Sequence, residues 1–166
     1  MKQWWAVLLV LGLAGCGTTM DAALKIPELQ PGTSTETDAA AQLGKPAMEL
    51  KRPEGGKVQY FTTWPFGHNT YAVTLGADGV VRSLDQRLTQ DNVMSIKPGM
   101  KRSQVLERLG PPRQETREER QKLMVMEYPW LQGNREARLH YVRLSYDEVV
   151  HDVLDIHDQI AQPENH

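Results

Sequence analysis

The chain has 166 residues, with 19 Lys or Arg against 21 Asp or Glu and a formal net charge of −2. That balance gives no bulk electrostatic case for nucleic acid, and a single cysteine excludes an intrachain disulfide. The charge is uneven: residues 97–143 carry 11 basic and 6 acidic side chains, whereas 144–166 carry 6 acids and no Lys or Arg. A basic stretch beside an acidic tail can guide a partner, although solvated faces often share this pattern.

Lys2 is the only charge in the first fifteen residues, and "WWAVLLVLGLAG" follows almost at once. The run is shorter than the roughly 20 apolar residues that span a bilayer and has the proportions of a signal-peptide core over residues 1–15. "LAGC", Leu13 to Cys16, looks like a bacterial lipobox. That likeness implies cleavage before Cys16 and acylation of its sulfur and new amino group with chains such as palmitate. Acyl chains contribute about 0.8 kcal/mol per buried CH₂, so several on one residue anchor firmly. Gly17 is not the aspartate that holds lipoproteins of this kind in the inner membrane. The expected location is therefore the outer membrane, lipid-anchored and facing the periplasm. Residues 16–30 show little periodicity and read as the lipidated N-terminus and its tether.

Internal similarity is the most informative feature of the rest. "VTLGADGVVRSL" at 73–84 aligns without gaps on "VRLSYDEVVHDV" at 142–153, with five identities in twelve positions; chance supplies about one. Upstream, "PG" at 31–32 answers 98–99, "LGKP" at 43–46 answers "LGPP" at 109–112, and "WPF" at 64–66 answers "YPW" at 128–130. The chain reads as two tandem copies, residues 31–87 and 88–156, with an acidic tail at 157–166.

Each copy has the same grammar. A short helix comes first, with Thr33 and Glu36 suited to a capping box in the first copy. It stops at Gly44 or Gly110, with proline two residues later. Strands follow: "AMELKRP", "KVQYFTTW", "NTYAVTLG" and "VVRSL" in the first copy, then "KLMVMEYPW", "ARLHYVRLSY" and "EVVHDVLDI" in the second. "PEGG", Ala77-Asp78-Gly79 and Gly133-Asn134 are turn signals. "LTQDNVMSI" at 88–96 adds a short helix. The expected fold class is α+β: two units, each of short helices packed on a three- to four-stranded antiparallel sheet.

"IKPGMKRSQVLERLGPP" at 96–112, "MEY" at 126–128 and "VRLSYDEVV" at 142–150 resemble the small outer-membrane lipoprotein family SmpA/OmlA, or BamE. The landmarks are Gly99-Met100, Val105, Leu109-Gly110-Pro111-Pro112 and Tyr128; the first copy lacks the methionine and the helix valine. The resemblance implies a BamE-like fold in both copies and a scaffold or accessory role in outer-membrane protein assembly and envelope integrity. It also implies contact with barrel-assembly machinery or another envelope protein, and with anionic phospholipid. A tandem pair of this fold is also similar to secreted β-lactamase-inhibitor proteins, which implies a binding or inhibitor module recognising a periplasmic protein.

Two places invite a partner. Lys101 and Arg102 put positive charge at a helix start, where the dipole favours anions. This is either a tolerated surface or a site where helix N–H groups and two cations meet a lipid or partner anion. Trp64, Phe66 and Trp130, each beside proline, either cap the core or project as aromatic partner contacts. No catalytic residue is expected: the chain has no G-x-S-x-G elbow, P-loop or H-E-x-x-H. No cofactor or metal is expected either, since His151 and His157 with Asp152, Asp155 and Asp158 fit no zinc spacing. Cys16→Ser should abolish acylation and release the protein from membranes. Fractionation of cells followed by a high-salt wash checks this, and an unchanged membrane fraction would exclude a lipid anchor at this residue.

Overall fold

The computed structural model describes residues 26–133 and 136–157. Cys16, the signal segment, most of the tether and the acidic tail beyond His157 lie outside the described residues. In chain order the elements are α1 (Glu36–Leu43), β1 (Met48–Lys51), β2 (Lys57–Thr62), β3 (Thr70–Leu75) and β4 (Val81–Gln86). Then come α2 (Gln90–Met94), α3 (Arg102–Leu109), β5 (Gln114–Glu118), β6 (Leu123–Gln132), β7 (Glu136–Ser145) and β8 (Val150–His157). β1–β4 form one antiparallel sheet and β5–β8 a second, each in sequence order. The fold is α+β, with few helices and two four-stranded sheets.

The two halves repeat down to single hydrogen bonds. The Glu36 N–H donates to the Gly79 carbonyl at 2.9 Å, and that of Arg102 to Glu148 at 2.7 Å. The Gly32 N–H reaches the Val81 carbonyl at 2.8 Å, as that of Gly99 reaches Val150 at 2.8 Å. Isolated bridges join Thr35 to Val80 and Lys101 to Val149. Even the register shifts correspond, between Thr74 and Leu75 and between Arg143 and Leu144. These bonds tie the start of each helix to the closing hairpin of its own sheet.

Three local expectations change. The first capping box uses Thr35 and Asp38, not Thr33 and Glu36: the Thr35 N–H donates to Asp38 Oδ2 at 2.8 Å. β5, "QETRE", was not expected as a strand; it is a polar edge whose only sheet neighbour is β6, so no hydrophobic alternation marks it. The tether ends sooner, because Pro27 and Leu29 are buried and Leu29 packs with Ala39, Phe61, Val73, Leu75 and Val81.

Alternation decides which faces are covered. Phe61, Val73 and Leu75 meet α1 through Ala39, while Val58, Tyr60 and Ala72 face the opposite way. A bare second face would expose Tyr60, and α3 covers it. Val105 and Leu109 on α3 join Met126, Tyr128, Trp130, Val142 and Leu144 of the second sheet. Its C-terminal end meets the first sheet: the Tyr60 hydroxyl donates to the Glu107 carbonyl at 2.8 Å. From the other side, the Tyr128 hydroxyl donates to the Gly110 carbonyl at 3.1 Å. The last carbonyls of a helix have no partner within it, and here one tyrosine from each sheet supplies one.

Gly110 marks the closest approach. Its φ of 82° and ψ of −165° fall in a region essentially confined to glycine. A Cβ there would lie 2.7 Å from Thr70 Cγ2 and 2.9 Å from Tyr60 Cδ1. Gly44 has nearly the same backbone, φ 79° and ψ −147°, with nothing within 4 Å of the added carbon. Gly44→Ala should therefore cost only backbone strain, about 1–3 kcal/mol. Gly110→Ala should cost that plus overpacking of about 1–3 kcal/mol. Urea unfolding of both variants checks the difference; equal losses would mean the two sheets do not press on this position.

Candidate functional site

Arg102 is the first residue of α3, in its first turn, whereas Lys101 falls one position outside it. Lys101 is the N-cap of α3, the position that Thr35 holds in α1. An ammonium has no lone pair to accept a helix N–H, so this cap is one-sided: Gln104 Oε1 accepts the Lys101 N–H at 2.8 Å. Arg102 turns to β5 and pairs with Glu115 at 2.6 Å. The N–H groups of Arg102 and Gln104 donate to the carbonyls of Glu148 and Lys101. Two of the donors an anion would need are therefore spent, and one of the two cations is neutralised.

The aromatic corners divide. Trp130 is 1% exposed within the second core, which removes it as a partner contact. Residues 124, 126, 128 and 130 of β6 face inward by alternation, and the Trp130 Nε1–H donates to Asp155 Oδ1 at 3.3 Å. Trp64 and Phe66 do the opposite, remaining 47% and 50% exposed between β2 and β3. Their loop is held at its root. The Thr63 N–H donates to the Asn69 carbonyl at 3.0 Å, and the Asn69 N–H to Thr63 Oγ1 at 2.9 Å. The N–H groups of Phe66 and Gly67 both reach the Thr63 carbonyl at 3.0 Å. Gln86 Nε2 ties Asn69 to β4 at 2.9 Å.

The second unit reaches this loop through Arg113. Its guanidinium lies 4.5 Å from the centroid of the Trp64 ring, within cation–π range, and pairs with Glu127. Nothing near Arg113 in the sequence announces this role, because the contact spans two units. The result is two apolar side chains projecting from a pinned loop, one of them backed by a mostly buried ion pair.

The described aspartates of β8 are engaged by arginines. Asp152 pairs with Arg143, which holds its carboxyl below the usual range, and Asp155 pairs with Arg138 at 3.2 Å. Asp158 lies outside the described residues, and among those described no three His, Cys, Asp or Glu side chains are grouped to hold a metal. No helix among the described residues is long and apolar enough to cross a membrane.

No family model and no curated protein matches the chain. Two solved structures are similar in outline. A DUF4309 family protein from Bacillus subtilis is 18% identical with a TM-score of 0.30, covering 78% of this chain and 81% of its own. A candidate β-lactamase inhibitor protein from Streptococcus mutans is 12% identical with a TM-score of 0.32, covering 74% of this chain and 82% of its own. Overlap this loose bears on neither ligand nor activity.

His140 was not singled out by its sequence context. It is buried on β7, and neither ring nitrogen has a hydrogen-bond partner. Burial pushes its pKa below the ordinary imidazole value, against a smaller upward pull from Asp155. The native state thus resists a proton that the unfolded chain accepts below about pH 6.5. This contribution to stability is complete above that pH and is lost as pH falls towards the native pKa. The unfolding free energy from urea melts should therefore drop between pH 7 and pH 5, by at most about 1.4 kcal/mol per pH unit from this group. His140→Leu should flatten the slope, whereas an unchanged slope would assign it to other groups.

Proposed function

We propose that this chain is a non-catalytic binding module of the cell envelope, anchored through acylated Cys16, that recognises another protein with Trp64 and Phe66. The observation carrying this reading is the exposure of both aromatics on a loop held by Thr63, Asn69 and Gln86. Large apolar groups held rigid at a surface lose little conformational entropy on binding, and such residues dominate interface energetics. A partner suited to this corner offers an apolar pocket for the two rings. This reading belongs with inhibitor or recognition modules rather than enzymes.

A second reading is favoured by the lipobox at Leu13–Cys16 and by the BamE-like landmarks of residues 96–112. In it the module is an accessory of outer-membrane protein assembly, and its partner is a barrel-assembly component. Affinity purification from solubilised membranes separates the two: a single soluble hydrolase supports the first reading, and assembly components support the second. Trp64→Ala and Phe66→Ala should each weaken capture of the purified partner about tenfold or more, a hot-spot effect. Phe66→Ala should change stability by no more than about 0.5 kcal/mol. Undiminished capture by the double variant would overturn the aromatic corner as the recognition surface.

A further inference from the structure

A cavity of about 460 Å³ opens where the two units meet, lined by Arg52, Arg87, Asn92, Gln104, Glu107 and Arg108, with Met100 on its wall. Arg52 follows β1, Arg87 follows β4, and Glu107 and Arg108 lie in the last turn of α3. Three guanidinium groups face one carboxylate, so the cavity is electropositive. Their existing partners do not use them up. Arg52 binds Glu107 at 2.6 Å, and Arg108 donates to Ser95 Oγ at 2.9 Å. Arg87 approaches Asp85 only to 4.0 Å, beyond hydrogen-bond distance.

The polar lining tends towards donors as well. Gln104 Oε1 is occupied by the Lys101 N–H, which leaves its amide NH₂ to donate. The Tyr60 hydroxyl, which holds the floor of this junction, already donates to the Glu107 carbonyl. Donors in excess, forked guanidinium geometry and net positive charge together match a doubly charged oxyanion.

We propose that this cleft binds a phosphate monoester group, with the terminal guanidinium nitrogens of Arg87 and Arg108 as its principal donors and Arg52 completing the charge. The site requires both units, since neither alone supplies more than two of the three arginines. It is independent of the Trp64–Phe66 corner. The same group could arrive on a soluble metabolite or on a lipid head.

The test uses the full acylated chain in non-ionic detergent, titrated with glycerol 3-phosphate by calorimetry. A parallel arm measures binding to phosphatidylcholine vesicles with and without phosphatidic acid. Saturable binding in either arm is expected, and the arm that binds identifies the source. Arg87→Gln and Arg108→Gln should each weaken binding at least about tenfold, and added salt should weaken it in the wild type. Arg120→Gln, an equal loss of charge elsewhere on the surface, should leave it unchanged, as should Trp64→Ala. Circular dichroism melts confirm that each variant is folded. Failure of the wild type to bind in both arms overturns the proposal, as does an equal loss in Arg120→Gln, which would mean diffuse attraction rather than a site.

Discussion

The first sheet has two apolar faces and one helix of its own. Phe61, Val73 and Leu75 are satisfied by α1, but Val58, Tyr60 and Ala72 are buried on the other side. That second face determines much of the architecture. It requires α3 of the second unit, whose C-terminal end it receives beside Tyr60 and Thr70. The paired tyrosine bonds to Glu107 and Gly110 then fix α3 between the sheets. Position, polarity and backbone conformation have to agree there at once, because buried carbonyls need donors and only a residue without a Cβ fits.

From that junction follow both surfaces with functional promise. Bringing α3 against the first sheet sets Arg52 beside Glu107 and opens the arginine-lined cleft. It also carries Pro111 and Arg113 across to the loop after β2, where Arg113 lies over Trp64. The duplicated helix–hairpin bonds hold each unit internally, whereas the packing of α3 on the first sheet and the Arg113–Trp64 contact join the two units. Both candidate surfaces lie on what differs between the copies rather than on what repeats.

The order of helices and strands was legible because Gly-Pro stops, turn glycines and alternation all pointed the same way. The errors have local causes. Thr33, Ser34 and Thr35 are all competent caps, and only the bridge from Thr35 to Val80 selects one. β5 shows no period because its residues are mostly exposed. Trp130 looked like a corner because Pro129 precedes it. β5 pairs with β6 only from Leu123 to Glu127, so at Pro129 the strand has a free edge and tolerates the missing N–H. The cleft could not be read in advance, since residues 52, 87 and 108 share no motif and meet only through the packing of α3.

The borrowed cover on the first sheet also has a consequence for the order in which the chain is made. Synthesis delivers β1 to β4 well before residue 110 leaves the ribosome. Throughout that interval Tyr60 and its neighbours have no lid, and the nascent sheet is a sticky, half-finished surface of the kind that aggregates or recruits chaperones. The dependence of the first unit on the second therefore ties completion of the first sheet's burial to the arrival of α3.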